Sequence, residues 1–469
     1  MATQAKKSSF SGGLGFVLAA AGSAVGVGNI WRFPTLAAKH GGGLFLIVYL
    51  ILVLTFGFSL LMTDIAIGRK TGKSSLDAFK TINKKWSFLG KLTFAVPSII
   101  ITYYVVIGGW ILKYMVSSVT EFTATANSDY FINFISSKTP PIVWMLIFLA
   151  ITAFIVFCGV EKGIERFSKI IMPALFILIL GISAFSLTIK SEPNANGEIR
   201  TGLQGFLVYV KPDFTGLTFK GFMSVLLDAM SQLFFSLSVA MGIMITYGSY
   251  VKKDVDLNKS VAQIEIFDTI VAFLAGLMVV PAVYVFMGTE GMKAGPGLIF
   301  QSLPQVFNAM GFAGRIIGPA FFVMVAFAAL TSSVSIMEAI VGACMETFKS
   351  SRKKISIIIT IIAAAAAVVV CLGYNVLSFG VTLPTGATGQ NLLDVLDYVS
   401  NSLLMPVISL LTCIVIGWVV KPKWVIDEVE SSGAKFGRKK LYTVMIKYIA
   451  PALMVLLFLQ SIGAFNFLG

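Results

Sequence analysis

The sequence predicts an all-α integral membrane protein, and three observations carry that expectation. Of its 469 residues, 57% are apolar, and only 12% are charged, about half the charged share of a soluble domain. Mean hydropathy is +0.89 per residue. The apolar residues fall into long runs separated by polar segments. Each bilayer crossing takes about 20 of them, which leaves room for roughly 10 to 12 spans. A soluble enzyme is excluded, because so few charges cannot cover a globular surface.

Taken in chain order, eleven runs qualify: 14–38, 43–68, 88–118, 141–157, 166–189, 218–250, 260–289, 314–348, 355–373, 390–420 and 443–466. The first is dense in glycine, GFVLAAAGSAVGVGNIWRFP, and the second continues as GGGLFLIVY. The third carries the tandem Tyr103-Tyr104. The fourth and fifth are plain apolar runs. The sixth, SQLFFSLSVAMGIMITYGSY, mixes hydroxyls, an amide and a glycine into its middle. The seventh holds an acid in IFDTIVAF, the eighth holds ALTSSVSIM, and the tenth opens on LDVLDY. The stretch 291–313, with GMKAGPGLIF and Pro304, is too short and interrupted to span, and is expected to form an extramembrane lid.

The net charge of +14 would suggest nucleic acid in a soluble protein. Here it sorts by side. With the N-terminus inside, 26 of the 36 Lys and Arg fall on inner segments and 9 on outer ones, with Arg32 inside the first span. Lys and Arg collect on the cytoplasmic side of membrane proteins. The expectation is therefore a multi-pass protein of the plasma (inner) membrane, with a cytoplasmic N-terminus, an extracytoplasmic C-terminus and no nucleic-acid partner. No cleavable leader is expected, since the first apolar run leads straight into the glycine-rich segment. The four cysteines sit in or beside apolar runs, which disfavours a disulfide framework. His40, the only histidine, leaves little scope for imidazole catalysis or transition metals.

The first and sixth spans stand five helices apart and share an interrupted texture. Interrupted helices at matching positions of two inverted halves are the best sequence pointer to a transporter's binding site. Taken alone, Gly22-x-x-x-Gly26 is equally a close helix-packing pair. Ser23, Asn29 and Arg32 weigh against packing alone, because polar residues inside a span are costly unless they serve a site.

GSAVGVGNIWRFP followed by GGGLFLIVY, with QLFFSLSVAMG, ALTSSVSIM, Tyr103-Tyr104 and LDVLDY in order, resembles the neurotransmitter:sodium symporter family, which includes the bacterial leucine transporter. The resemblance runs over nearly the whole chain and implies that family's fold: two inverted five-helix repeats with discontinuous helices 1 and 6, plus an eleventh helix. The implied division is a cytoplasmic tail and inner gate at 1–13, a first repeat at 14–190 and an extracellular loop at 191–217. A second repeat at 218–420, a cytoplasmic loop at 421–442 and the last helix at 443–469 follow.

The resemblance also implies site residues. One sodium ion would take the Ala24 carbonyl, Asn29, Ser236, Asp268 and the substrate carboxylate. A second would take the carbonyls of Gly22, Val25 and Ala328 with the hydroxyls of Thr331 and Ser332. Oxygen-only shells suit a hard cation. The Thr331-Ser332-Ser333 run taken alone reads as hydroxyls bonded back to their own helix. The substrate would lie among Ser23, Ala24, Val27, Gly28, Ile100, Tyr104, Phe235, Ser236, Ser238, Met241, Ser332 and Ile336. Gly26 stands where monoamine carriers of the family place an aspartate, which favours a substrate that brings its own carboxylate. No charge lines the side-chain subpocket, and Met241 replaces a phenylalanine, so a neutral, hydrophobic or aromatic amino acid is expected. Met241 as simple core filling is the competing reading.

Ala272 replaces the serine that binds chloride in animal relatives, so chloride-independent transport is expected, with Asp268 one turn away supplying the negative charge. Outer-gate positions are Arg32 and Asp397, with Tyr104 and Phe235. Inner-gate positions are Lys7 and Glu346, flanked by Phe10, Ser249 and Tyr250. Asp64 is expected to anchor the broken sixth helix, and Glu338 has no assigned role. The activity implied is sodium-coupled amino-acid import by alternating access, not catalysis. A non-transporting sensor on the same fold and a proton-coupled carrier are the rivals, and the oligomeric state is open.

Overall fold

The structure, a computed structural model, describes residues 9–193, 198–292 and 296–465. Among them, nine helices are long and apolar enough to cross a membrane: Gly43–Thr71, Lys84–Thr120, Pro140–Phe157, Val160–Ser186, Leu257–Met287, Gly314–Phe348, Arg352–Leu372, Leu392–Val419 and Lys439–Ser461. A further crossing is the pair Gly13–Ala24 and Val27–Lys39, bent by 53° at its break. The remaining run, sixth in order, is split into Phe219–Ser236 and Ile243–Gly248. Spans therefore fall within a few residues of the apolar runs, because in lipid only a helix satisfies every backbone polar group internally.

The two interruptions have different causes. In the first span, the Val25 N–H still bonds to the Ala21 carbonyl at 2.7 Å. Gly26 is then extended (φ −112°, ψ −176°), and helix resumes at Val27. Carbonyls at the end of the first half-helix are thereby freed of backbone donors. In the sixth span, Ser238 (φ 52°), Ala240 (φ 61°) and Gly242 (φ 71°) are all left-handed. For serine and alanine such a conformation costs roughly 1–3 kcal/mol and persists only where the surroundings impose it. Asp64, on the second span, supplies one constraint by accepting the Ala240 N–H at 3.0 Å, in keeping with the anchoring expected of it.

Several polar segments hold short helices that the apolar pattern did not disclose: Ser75–Ile82, Ser128–Ser136, Gly202–Val210 and Lys423–Glu430. They are amphipathic and too short to span; Gly202–Val210 opens on a reciprocal Thr201–Gln204 cap. The 291–313 stretch contains the helical pieces Leu298–Ser302 and Leu303–Ala309. Phe300 pins it by stacking on Phe131 at 4.8 Å, beside Trp110 and Tyr114.

Candidate functional site

The two breaks face one another around the Ser23 carbonyl. This oxygen, freed at the end of the first half-helix, accepts the Ser238 hydroxyl at 3.1 Å and the Ser332 hydroxyl at 3.2 Å. The Ser23 and Ser238 hydroxyls are also 3.1 Å apart. A narrow cavity opens beside this junction, lined by Ser23, Ala24, Gly26, Asn29, Ile100, Tyr104, Phe235, Ser238, Met241, Ser332 and Ile336. Nine of these are positions the sequence assigned to substrate. Val27, Gly28 and Ser236, also assigned there, are not on the lining, while Gly26 and Asn29 join it.

The glycines are explained by what faces them. A Cβ on Gly26 would point at Ser332 Oγ (3.0 Å) and Tyr104 Oη (3.6 Å), into the cavity. One on Gly28 would come within 2.6 Å of the Phe235 ring, so Gly28 lets that ring close over the first span. Tyr104 Oη is buried and has no hydrogen-bond partner of normal geometry among the described residues. A buried hydroxyl left in that state calls for a ligand or water.

Directly behind the cavity, Asp268 is fully buried among Asn29 and Ser236. Asn29 Nδ2 donates to Asp268 Oδ1 at 2.8 Å. Ser236 Oγ lies 2.7 and 2.9 Å from the two carboxylate oxygens and 2.9 Å from Asn29 Oδ1. Tyr49 reaches Asp268 Oδ2 from the second span at 3.4 Å. Among the described residues no Lys or Arg forms an ion pair with Asp268. A buried carboxylate without a basic partner, beside freed carbonyls, is a donor set that fits a hard monovalent cation. Among the described residues, no group of three or more His, Cys, Asp or Glu is placed to hold a metal ion. On the other flank, Gly22 packs against Thr331, a Gly22 Cβ falling 3.3 Å from Thr331 Cβ. Thr331 Oγ1 bonds to the Ala328 carbonyl at 3.0 Å, and Ser332 faces the break. Gly22, Val25, Ala328, Thr331 and Ser332 thus come from the two elements that pack here, the first and eighth spans.

The gate positions depart from expectation. Arg32 and Asp397 do not form a direct ion pair. Arg32 donates to Ser231 at 2.7 Å, and Asp397 accepts Tyr103 Oη at 3.0 Å and Asn401 Nδ2 at 2.6 Å. Asn401, four residues on, is a neighbour of Asp397 on the same helix face and supplies this donor. Lys7 lies outside the described residues. Its expected partner Glu346 is engaged otherwise, by the Ser74 N–H and hydroxyl at 2.7 and 2.6 Å and by Lys73 at 3.0 Å. Phe10 is buried against Phe16, Tyr247 and Tyr250, and its N–H bonds to the Tyr250 carbonyl at 3.2 Å. Ser249 is buried beside Tyr250.

Glu338, unassigned from sequence, has a clear partner. Arg352 grips it bidentately at 2.5 and 2.8 Å, and Tyr250 Oη donates to it at 2.8 Å. Glu165 was also missed: it accepts the Ser11 N–H at 2.8 Å and the Ser11 hydroxyl, and it packs where Gly15 has no side chain. Tyr49, a lone hydroxyl in an apolar run, and Asn401, one turn from Asp397, carried signals that could have been read.

An all-helical, membrane-spanning body with paired broken helices around a buried polar site defines a carrier of the inverted-repeat class. The model of the sodium:neurotransmitter symporter family matches residues 7–138 and 133–468, so the chain belongs to that family. It is 32% identical to an "uncharacterized sodium-dependent transporter" of Bacillus subtilis (strain 168) over 462 residues, covering 97% of each chain. A similarly titled protein of Methanocaldococcus jannaschii is 34% identical over 433 residues, covering 88% of this chain and 82% of that one. The crystal structure of MhsT in complex with L-phenylalanine superposes with a TM-score of 0.84 at 33% identity, over 97% of this chain and 100% of that one. The fold is thus the leucine-transporter type, with two inverted five-helix repeats and an eleventh helix. The protein is a sodium-coupled transporter, not an enzyme.

Proposed function

We propose that this carrier imports a neutral, hydrophobic or aromatic L-amino acid with sodium, by alternating access and without chloride. The observation that carries the reading is the uncharged cavity beside a buried Asp268 that has no basic partner among the described residues. MhsT, whose title names a complex with L-phenylalanine, supports the aromatic preference. Sodium is cargo here. One ion is held by the Ala24 carbonyl, Asn29, Ser236 and Asp268, the other by the carbonyls of Gly22, Val25 and Ala328 with Thr331 and Ser332. The substrate carboxylate completes the first shell and takes the unpartnered Tyr104 hydroxyl. Its side chain lies between Ile100, Met241 and Ile336. A charged side chain in that pocket would be buried unpaired, at a cost that excludes it.

The Asp268 carboxylate collects the Tyr49 and Ser236 hydroxyls and the Asn29 amide, donors that an exogenous anion would need. With Ala272 offering no hydroxyl, chloride has neither site nor purpose. Arg32, Asp397, Tyr104 and Phe235 close the outer side; Phe10, Ser249, Tyr250 and Glu346, with Lys7, close the inner side. The N-terminus lies in the cytoplasm and the C-terminus outside, in the plasma (inner) membrane. The repeats run 14–190 and 218–420, between the 1–13 tail, the 191–217 and 421–442 loops and the 443–469 helix.

Because ion and substrate share ligands, their affinities are reciprocal. A thermal-shift screen of the twenty amino acids in sodium and in potassium tests this, since a ligand of the native state raises its stability. Stabilisation by phenylalanine, tyrosine, tryptophan or leucine in sodium only is expected, and equal stabilisation in potassium refutes the coupling. Uptake into proteoliposomes separates transport from a sensor that binds without moving its ligand. Full uptake in sodium-free medium under a proton gradient favours the proton-coupled rival. A clear loss of uptake when gluconate replaces chloride refutes chloride independence.

A further inference from the structure

Seven basic residues lie between Arg69 and Lys91, and the structure divides them. Arg69 pairs with Glu428 at 2.7 Å and donates to the Val255 carbonyl. Lys70 sits 4.5 Å over the Trp424 ring and donates to its carbonyl. Lys73 pairs with Glu346. These three tie the inner end of the second span to neighbouring elements. Lys80, Lys84, Lys85 and Lys91 are different: all four are exposed, and none forms an ion pair among the described residues. Asp77, the one acid of the 73–91 segment, is turned toward the eighth span, where it accepts the Thr347 hydroxyl at 3.4 Å.

The same surface carries apolar groups suited to a membrane boundary. Trp86 stacks on Phe88 at 5.7 Å, and Phe88 is 47% exposed. The short helix Ser75–Ile82 buries Ala78 and Phe79 and leaves Lys80 and Thr81 outside. It runs directly into the crossing Lys84–Thr120, so the lysines and the aromatic pair sit where a span leaves the bilayer. Aromatic rings at headgroup depth beside unmatched lysines complement anionic lipid in both halves of the contact.

We infer that residues 80–91 form a docking surface for anionic phospholipid headgroups. On the proposed orientation this is the inner leaflet, and only the choice of leaflet rests on that reading. The ammonium groups meet headgroup phosphates while Trp86 and Phe88 seat among the upper acyl carbons. Bound lipid braces a segment fastened to the inner ends of the second, third and eighth spans.

The purified full chain is titrated with short-chain phosphatidylglycerol, short-chain phosphatidylcholine or inorganic phosphate while thermal stability is followed. Phosphatidylglycerol should raise the midpoint, and the other two should leave it unchanged. Replacing the four lysines with glutamine should demand on the order of a thousandfold more phosphatidylglycerol for the same shift, and replacing them with arginine should not. A glutamine variant that responds like the wild type overturns the inference, as does an equal response to inorganic phosphate, which would mark a free-anion site. Should the glutamine variant not fold, brominated phosphatidylglycerol should quench a fluorescence component of the wild type that Trp86→Phe lacks. Equal quenching by brominated phosphatidylcholine overturns the inference by that route. Neither readout needs sodium or an amino acid, so both stand if the transport proposal fails. Labelling of Lys85→Cys from outside intact cells would overturn the inner-leaflet assignment alone.

Discussion

Asn29 and Asp268, 239 positions apart in the chain, are joined by a 2.8 Å hydrogen bond, and Ser236 lies within 2.9 Å of both. The first, sixth and seventh spans therefore meet at one buried carboxylate that no base among the described residues neutralises. If this is a sodium site, Asp268→Asn keeps the shape and removes the charge. Sodium affinity should then fall roughly 10- to 100-fold, matching about 1.5–3 kcal/mol for an interaction with a charged group. Sodium titration of the thermal midpoint, with substrate saturating, measures this. An unchanged titration would place the ion elsewhere.

The glycine of the first break offers a test of substrate class. A Cβ on Gly26 points at Ser332 Oγ and Tyr104 Oη, so Gly26→Asp would set a carboxylate beside the site proposed for the substrate's own. Like charges in a buried pocket repel, and amino-acid stabilisation should vanish while the fold persists. Retained stabilisation by the wild-type amino acid would show that the substrate carboxylate binds elsewhere. Gly28→Ala acts through packing instead. Its methyl would fall 2.6 Å from the Phe235 ring, and displacing that ring should cost about 1–3 kcal/mol of stability.

The Glu338–Arg352 pair yields a prediction about stability. Both groups are largely withdrawn from solvent, Glu338 at 0% and Arg352 at 13% side-chain exposure. Arg352 also donates to the Val156 carbonyl, so the fourth, eighth and ninth spans and Tyr250 of the sixth converge there. Glu338→Gln leaves Arg352 buried beside a neutral amide and should destabilise by about 3–5 kcal/mol. Removing both charges, Glu338→Gln with Arg352→Gln, should recover much of that loss. A double-mutant cycle on thermal or denaturant stability checks it; additive losses would mean the pair is not coupled.

What could be read before folding follows from the range of the interactions. The spans and both breaks were legible, because hydrophobic run length and mid-span polar residues are local. Gly26 and Ser238 sit within a few residues of where the texture pointed. Partnerships were less legible. Glu338 meets Arg352 only because the chain reverses between the eighth and ninth spans. Glu346 meets Ser74 because the loop after the second span folds beneath the eighth. Arg32 and Asp397 form no direct ion pair because each has a nearer partner, Ser231 at 2.7 Å for Arg32 and Asn401 at 2.6 Å for Asp397; Asn401 could be read from its i,i+4 spacing, whereas Ser231, 199 positions from Arg32, could not. Short surface helices such as Lys423–Glu430 escaped because hydropathy over a bilayer-length window averages them away.

Phe10 is the sharpest test of the inner closure. It lies just before the first half-helix, on the side proposed to face inward, 2% exposed, with its ring 5.6 Å from Tyr247, 6.2 Å from Tyr250 and 5.7 Å from Phe16. Ser11, the next residue, is held from two sides, by Glu165 and by Lys252, whose ammonium donates to its carbonyl at 3.0 Å. Truncating a buried phenylalanine costs about 3–5 kcal/mol, and in a two-state carrier that cost falls on whichever state buries the ring. Phe10→Ala should therefore shift the population toward the inward-open state rather than simply unfold the protein, because Ser11 keeps its other contacts. The expected signature is a cysteine at Ser249 that becomes reactive to a membrane-impermeant thiol reagent from the inner side, with amino-acid affinity lowered about tenfold or more by the smaller binding-competent fraction. Sodium, by favouring the outward state, should reverse the reactivity. A Phe10→Ala protein whose Ser249→Cys stays protected, with affinity unchanged, would show that the aromatic cluster is packing and not a gate.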